Sequence, residues 1–98
     1  MAEADVELAS EREETGAWSY EARITHDDGR ARTIPIRLSW ADYNHWSISG
    51  ADEPSRIAER ALRCLLRHAP PSILERARID LSLVRRFCAA ADEEIMGG

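Results

Sequence analysis

From Trp18 to Thr25 the chain alternates, with Trp18, Tyr20, Ala22 and Ile24 on one side and Ser19, Glu21, Arg23 and Thr25 on the other. A period of two marks a half-buried strand. Asp27-Asp28-Gly29-Arg30 follows with turn chemistry, Gly29 being free to take a positive φ. A second alternating run sets Ile34, Ile36, Leu38 and Trp40 against Thr33, Arg37 and Ser39. Pro35 interrupts it and cannot donate to a ladder, which places that position at an edge or a bulge. Asp42-Tyr43-Asn44 predicts the next turn, and His45–Ser49 a third strand with Trp46 and Ile48 inward. These elements make an antiparallel meander with one tryptophan-rich apolar face.

The next segment supplies a cover for that face. Asp52 or Glu53 is placed to cap a helix with Pro54 in its first turn, where a missing N–H costs nothing. Over Ser55–His68 the residues Ile57, Ala58, Ala61, Leu62, Leu65 and Leu66 recur at helical spacing. Pro70-Pro71 ends this helix, because a residue before proline disfavours the α region. Ser72 reads as the cap of a shorter helix reaching about Ala77. Asp80 reads as the cap of a third, with Leu81, Val84, Phe87 and Cys88 on its buried side. Asp92 to Gly98 reads as a fraying end. The expected class is α+β: a three-stranded antiparallel meander covered by one long helix, followed by two short C-terminal helices.

Charge divides the chain of 98 residues unevenly. Its net charge is −5, and all 13 basic residues are arginine. Residues 1–15 hold Glu3, Asp5, Glu7, Glu11, Glu13 and Glu14 against Arg12 alone, so they account for the whole imbalance. The expectation is an acidic, flexible tail over 1–15 and a single, electrically neutral domain over 16–98. A neutral body with an acidic arm is poorly suited to general nucleic-acid binding, which needs a basic footprint. No run approaches the roughly 20 apolar residues of a membrane span. The acidic start is unlike a secretory or transit segment, so a cytoplasmic location is expected. Each large buried side chain contributes about 1.5–3 kcal/mol, but conformational entropy nearly cancels such sums in a domain this small. That margin points to a homodimer hiding the edge strand or the C-terminal helices.

The candidate binding residues are Arg56, Arg60, Arg63 and Arg67, spaced four, three and four apart and therefore on one face of the long helix. Such a row suits an acidic protein surface, the chain's own acidic arm, or phosphates, although Glu59 can pair with Arg63 along the helix. Arg85-Arg86 reads as surface. Cys64 and His68 stand four apart, a spacing that can serve one metal, but a closed zinc site needs about four ligands. Cys88, His26 and His45 are not in paired spacing, so both cysteines read as small buried hydrophobes. No metal, cofactor or catalytic residue is expected. His26-Asp27-Asp28 reads as turn chemistry at a hairpin tip. The glycines form no phosphate loop, and Trp18, Tyr20, Trp40 and Trp46 all fall on inward phases.

Gly50-Ala51-Asp52-Glu53-Pro54, leading into Ile57-Ala58-Glu59-Arg60-Ala61-Leu62 after the strands, is similar in its order of elements to double-stranded-RNA-binding domains and to HicB-like antitoxins. The likeness spans residues 17–68. The first family implies RNA binding through lysines at the start of this helix, where Asp52 and Glu53 stand instead. The second implies protein binding through the sheet, and dimerisation. The functional expectation is a non-enzymatic protein-interaction or regulatory module of bacterial type: an adaptor, inhibitor or antitoxin-like subunit with a protein partner. The alternative is a nucleic-acid-binding regulator using the arginine-lined helix face.

Overall fold

The computed structural model describes residues 4–97, so Met1–Glu3 of the acidic segment and Gly98 lie outside the described residues. Three antiparallel strands, β1 (Asp5–Glu14), β2 (Ala17–Thr25) and β3 (Ala31–Ser39), form the meander. Two helices follow, α1 (Trp40–Trp46) and the long α2 (Pro54–His68). A 3₁₀ turn over Pro71–Glu75 leads to the two-residue strand β4 (Ile79–Asp80), which pairs parallel to β3 through Ile36 and Arg37. A second 3₁₀ turn (Leu81–Leu83) runs into α3 (Val84–Phe87), and α4 (Ala91–Gly97) closes the described chain. The sheet order is β1-β2-β3-β4. The fold is thus the expected α+β meander with a covering helix and short C-terminal helices.

β2 and β3 follow the alternation read from the sequence. Tyr20, Ala22 and Ile24 are buried, Tyr20 and Ala22 opposite Ile36 and Ile34 and Ile24 opposite the exposed Arg32 beside the hairpin. Their connection is the expected turn: the Gly29 amide donates to the His26 carbonyl at 2.9 Å, and Gly29 has φ +86°. Pro35 sits just before the reach of β4, which pairs only with Ile36 and Arg37. α2 buries its whole apolar stripe, Ile57, Ala58, Ala61, Leu62, Leu65 and Leu66, together with Cys64. Pro54 opens the helix after Glu53, whose side chain makes no capping bond.

Two of the expected assignments around the sheet differ. Residues 5–14 form strand β1 where a flexible tail was expected. An edge strand needs few apolar residues: Val6 and Leu8 pack toward the core opposite Ile24 and Ala22. Beyond them the register shifts between Ala9 and Arg12, with Ser10 at φ +58°, a one-residue bulge. The bulge brings Glu11 to the Tyr20 hydroxyl, which donates to its carboxylate at 2.6 Å. A hydrogen bond thus takes the place of a third apolar contact. The second difference is His45–Ser49, expected as a strand. Its first half is the end of α1, and Ile48 is 78% exposed. Ser39 decides this, because its hydroxyl caps the helix by accepting from the Asp42 amide at 3.1 Å. The third strand of the meander is therefore supplied from the N-terminal side.

The C-terminal part is more ordered than a fraying end. Ala91 and Ile95 of α4 are buried, and Trp46, at 1% exposure, donates from Nε1 to Asp92 at 2.8 Å. Arg85, read as surface, bridges Asp92 at 3.0 Å and Asp42 at 2.9 Å while its guanidinium lies 4.8 Å from the Trp46 ring centroid. This cluster joins α1, α3 and α4. No helix among the described residues is long and apolar enough to cross a membrane.

Candidate functional site

The four arginines of α2 share a face but not a role. Arg63 lies 3.4 Å from Glu59, donates to the Ala4 carbonyl at 3.4 Å and makes a loose ion pair with Asp5 at 3.9 Å. Arg67 reaches Glu94 of α4 at 2.8 Å. Arg56 and Arg60 make no ion pair with a described residue. The row is thus split: its C-terminal half serves internal contacts, and the start of β1 does cover Arg63. Arg56 lines a shallow groove between β1 and the start of α2 with Val6, Glu7, Leu8, Ser55 and Glu59.

β1 itself is the more distinctive surface. It pairs with β2 on one side only, so its other edge presents backbone donors and acceptors. Asp5, Glu7, Glu11, Glu13 and Glu14 are all exposed along it, against the single cation Arg12. Glu11 and Glu14 are held by Tyr20 and by the Ser19 hydroxyl at 3.0 Å. Close to the β1–β2 turn, Trp40 is 42% exposed rather than inward. It stands 6.2 Å from the half-buried Trp18, which in turn meets Tyr43 edge-on at 5.2 Å. Trp40 opens α1, and the helical turn carries it off the inner face of the sheet that the alternation of β3 suggested.

A second constellation lies on the far side of α2. Cys64 and His68 are on one face of that helix, and α3 and α4 bring Cys88 and Glu94 against them. One potential ligand atom from each of the four lies within 4.8 Å of all the others. The Cys88 thiol donates to Glu94 Oε2 at 3.1 Å, and His68 Nε2 is 2.9 Å from the same oxygen. Cys64 is fully buried and Cys88 half-buried, while His68 and Glu94 form the solvent side. Burial, and then the nearby negative charge of Glu94, push the Cys64 thiol up to about 12. Hydrogen bonds from Arg67, Cys88 and His68 hold the Glu94 carboxyl down at about 2.

Cys64 is a core residue and Cys88 packs against that core, as expected of small hydrophobes, and both also lie beside His68 and Glu94. The spacing of Cys64 and His68 is the legible half of this cluster; Cys88 stands in no paired spacing and Glu94 is one of a run of acids, so neither carries a signal. His26-Asp27-Asp28 does sit at the hairpin tip, where Asp28 accepts from the Arg30 amide at 3.0 Å. Compared with known protein families, curated proteins and solved structures, the chain matches none.

Proposed function

We propose that this chain is a non-enzymatic protein-interaction module whose β1 edge takes up a basic, extended segment of a partner protein. The observation that carries this reading is a ten-residue edge strand, open on its outer side, bearing five exposed carboxylates against one arginine. Strand addition to an open edge draws affinity from backbone hydrogen bonds and specificity from alternate side chains. An added strand would lay its inward side chains over the groove beside Val6, Leu8 and Arg56. Fully overlapped antiparallel pairing of β1 with a second copy of itself would set Asp5 opposite Glu14 at both ends, which is destabilising, with Glu7 opposite Arg12 between them. A lysine- or arginine-rich segment removes that conflict. Phosphate binding along α2 has less support, since Arg63 and Arg67 already rest on carboxylates.

The test is affinity capture from nuclease-treated lysate of the source organism, using three forms of the chain. These are the wild type, a β1 variant (Glu7→Lys with Glu13→Lys) and an α2 variant (Arg56→Glu with Arg60→Glu). The expected result is a protein retained by wild type and by the α2 variant but lost from the β1 variant. Hydrogen exchange in the recovered complex should be slowed along β1. Loss from the α2 variant alone would transfer the interface to the arginine face. Recovery that disappears with nuclease would favour the nucleic-acid reading.

A further inference from the structure

We propose that Cys64, His68, Cys88 and Glu94 form a zinc site that pins α2 to the C-terminal helices. The cluster has the number and chemistry of a closed structural site: two sulfurs, an imidazole and a carboxylate, a set that suits tetrahedral zinc. Its four ligand atoms already lie within 4.8 Å of one another. They come from three elements, the i,i+4 pair on α2, the residue ending α3 and the middle of α4. No single element creates that convergence. The folded backbone does, and binding there would stabilise the folded chain over the unfolded one.

Charge is also matched. Two thiolates and a carboxylate exceed a divalent cation by one negative charge, and Arg67, 2.8 Å from Glu94 Oε1, lies where it offsets the excess. The same contact leaves Oε2 turned toward His68 and Cys88. Arg67 therefore orients a ligand from outside the cluster, as partners of metal-bound carboxylates commonly do. On binding, the two thiol protons pass to solvent and two sulfur–metal bonds form, with no change of oxidation state. His68 and Glu94 lie on the solvent side, which gives an ion a route in. The proposal is independent of the β1 interface, and neither depends on the other's outcome.

The full chain, purified under reducing conditions and stripped with chelator, is titrated with cobalt(II) and then zinc(II). The expected result is one equivalent of cobalt giving visible absorption typical of tetrahedral thiolate ligation, bleached by zinc, with a rise in Tm on zinc addition. Cys64→Ser and Cys88→Ser should abolish that absorption. His68→Ala, an exposed change that keeps the thiols, should weaken cobalt binding by more than the factor of about 10–100 typical of ligand-orienting partners. Arg67→Ala should fall within that factor. Circular dichroism of the stripped variants reports whether each still folds, and His68→Ala keeps the test alive if a cysteine variant does not. The proposal is overturned if the reduced chain takes up no cobalt, or if uptake survives loss of both cysteines. Isolation of the native protein with a Cys64–Cys88 disulfide and no zinc would overturn it as well.

Discussion

Asp80 joins two parts of the molecule with one carboxylate. One oxygen accepts from the Ser82 amide at 3.0 Å, capping the 3₁₀ turn Leu81–Leu83, and the other meets Arg37 of β3 at 3.1 Å. Burial alone would raise this carboxyl's pKa, but Ser82 and Arg37 together outweigh it and hold it below the ordinary value. A lowered folded-state pKa means that the stabilisation is present above the unfolded pKa and is lost as the pH falls through the folded one. Asp80→Ala is expected to cost about 1 kcal/mol at neutral pH. The difference should shrink as the pH drops below about 4, the unperturbed value for aspartate. Urea titrations of both proteins across that range check it, and a gap that stays constant with pH would rule out an ionised cap. Arg85 supports a stronger expectation, because it bridges Asp42, buried at 9% exposure, to Asp92. Arg85→Ala should destabilise by about 1.5–3 kcal/mol, the usual range for hydrogen bonds to charged groups. Arg85→Lys should recover only part, since an ammonium lacks the planar fork that spans two carboxylates; thermal melts read both.

At the scale of elements, β1 shows how an edge strand can be built from very little apolar material. Two side chains face the core, a bulge turns the strand, and the Tyr20–Glu11 hydrogen bond closes it. Ser10 occupies the left-handed region at φ +58°, which costs a non-glycine residue roughly 1–2 kcal/mol. Ser10→Gly is therefore expected to stabilise the protein by roughly 0.5 kcal/mol once the entropy of glycine is set against the relief. Ser10→Val should destabilise it, since a branched side chain is the least tolerant of that backbone. Equilibrium denaturation orders the three proteins, and Val above Ser would show that the bulge does not govern this strand. α2 represents the opposite case, a helix of 15 residues whose stripe is buried end to end. Leu62→Ala there should cost about 2–5 kcal/mol.

For the whole molecule, the consequence is that residues 5–14 of the acidic segment belong to the domain. Removing residues 1–14 would uncover Ile24, Ala22 and the flank of α2 near Arg63. The truncated chain is expected to lose its cooperative thermal transition or to melt far below the full chain. A free tail would leave the transition unchanged, so calorimetry of the truncated protein separates the two. The molecule's charge layout follows from the same fact. Five of its carboxylates stand along a sheet edge, where charge opposes edge-to-edge pairing of like strands.

Local pattern determined much of this protein. The alternation of β2 and β3, the turn at Gly29, the stop at Pro70-Pro71 and the stripe of α2 all act over a few residues, so they can be read without knowing what they touch. The covering helix needed only its spacing. β1 was not legible in that way, because its place depends on hydrogen bonds to β2 and on a Tyr20 hydroxyl nine residues away. α1 was not legible either, because a serine cap outweighs an alternation only five residues long. Half of the thiol–imidazole–carboxylate cluster was visible as Cys64 and His68, one helical turn apart. Cys88 and Glu94 lie about 20 and 26 residues further along the chain than His68. Only the packing of α3 and α4 against α2 closes that distance, since convergence across separate elements leaves no periodic trace in the sequence.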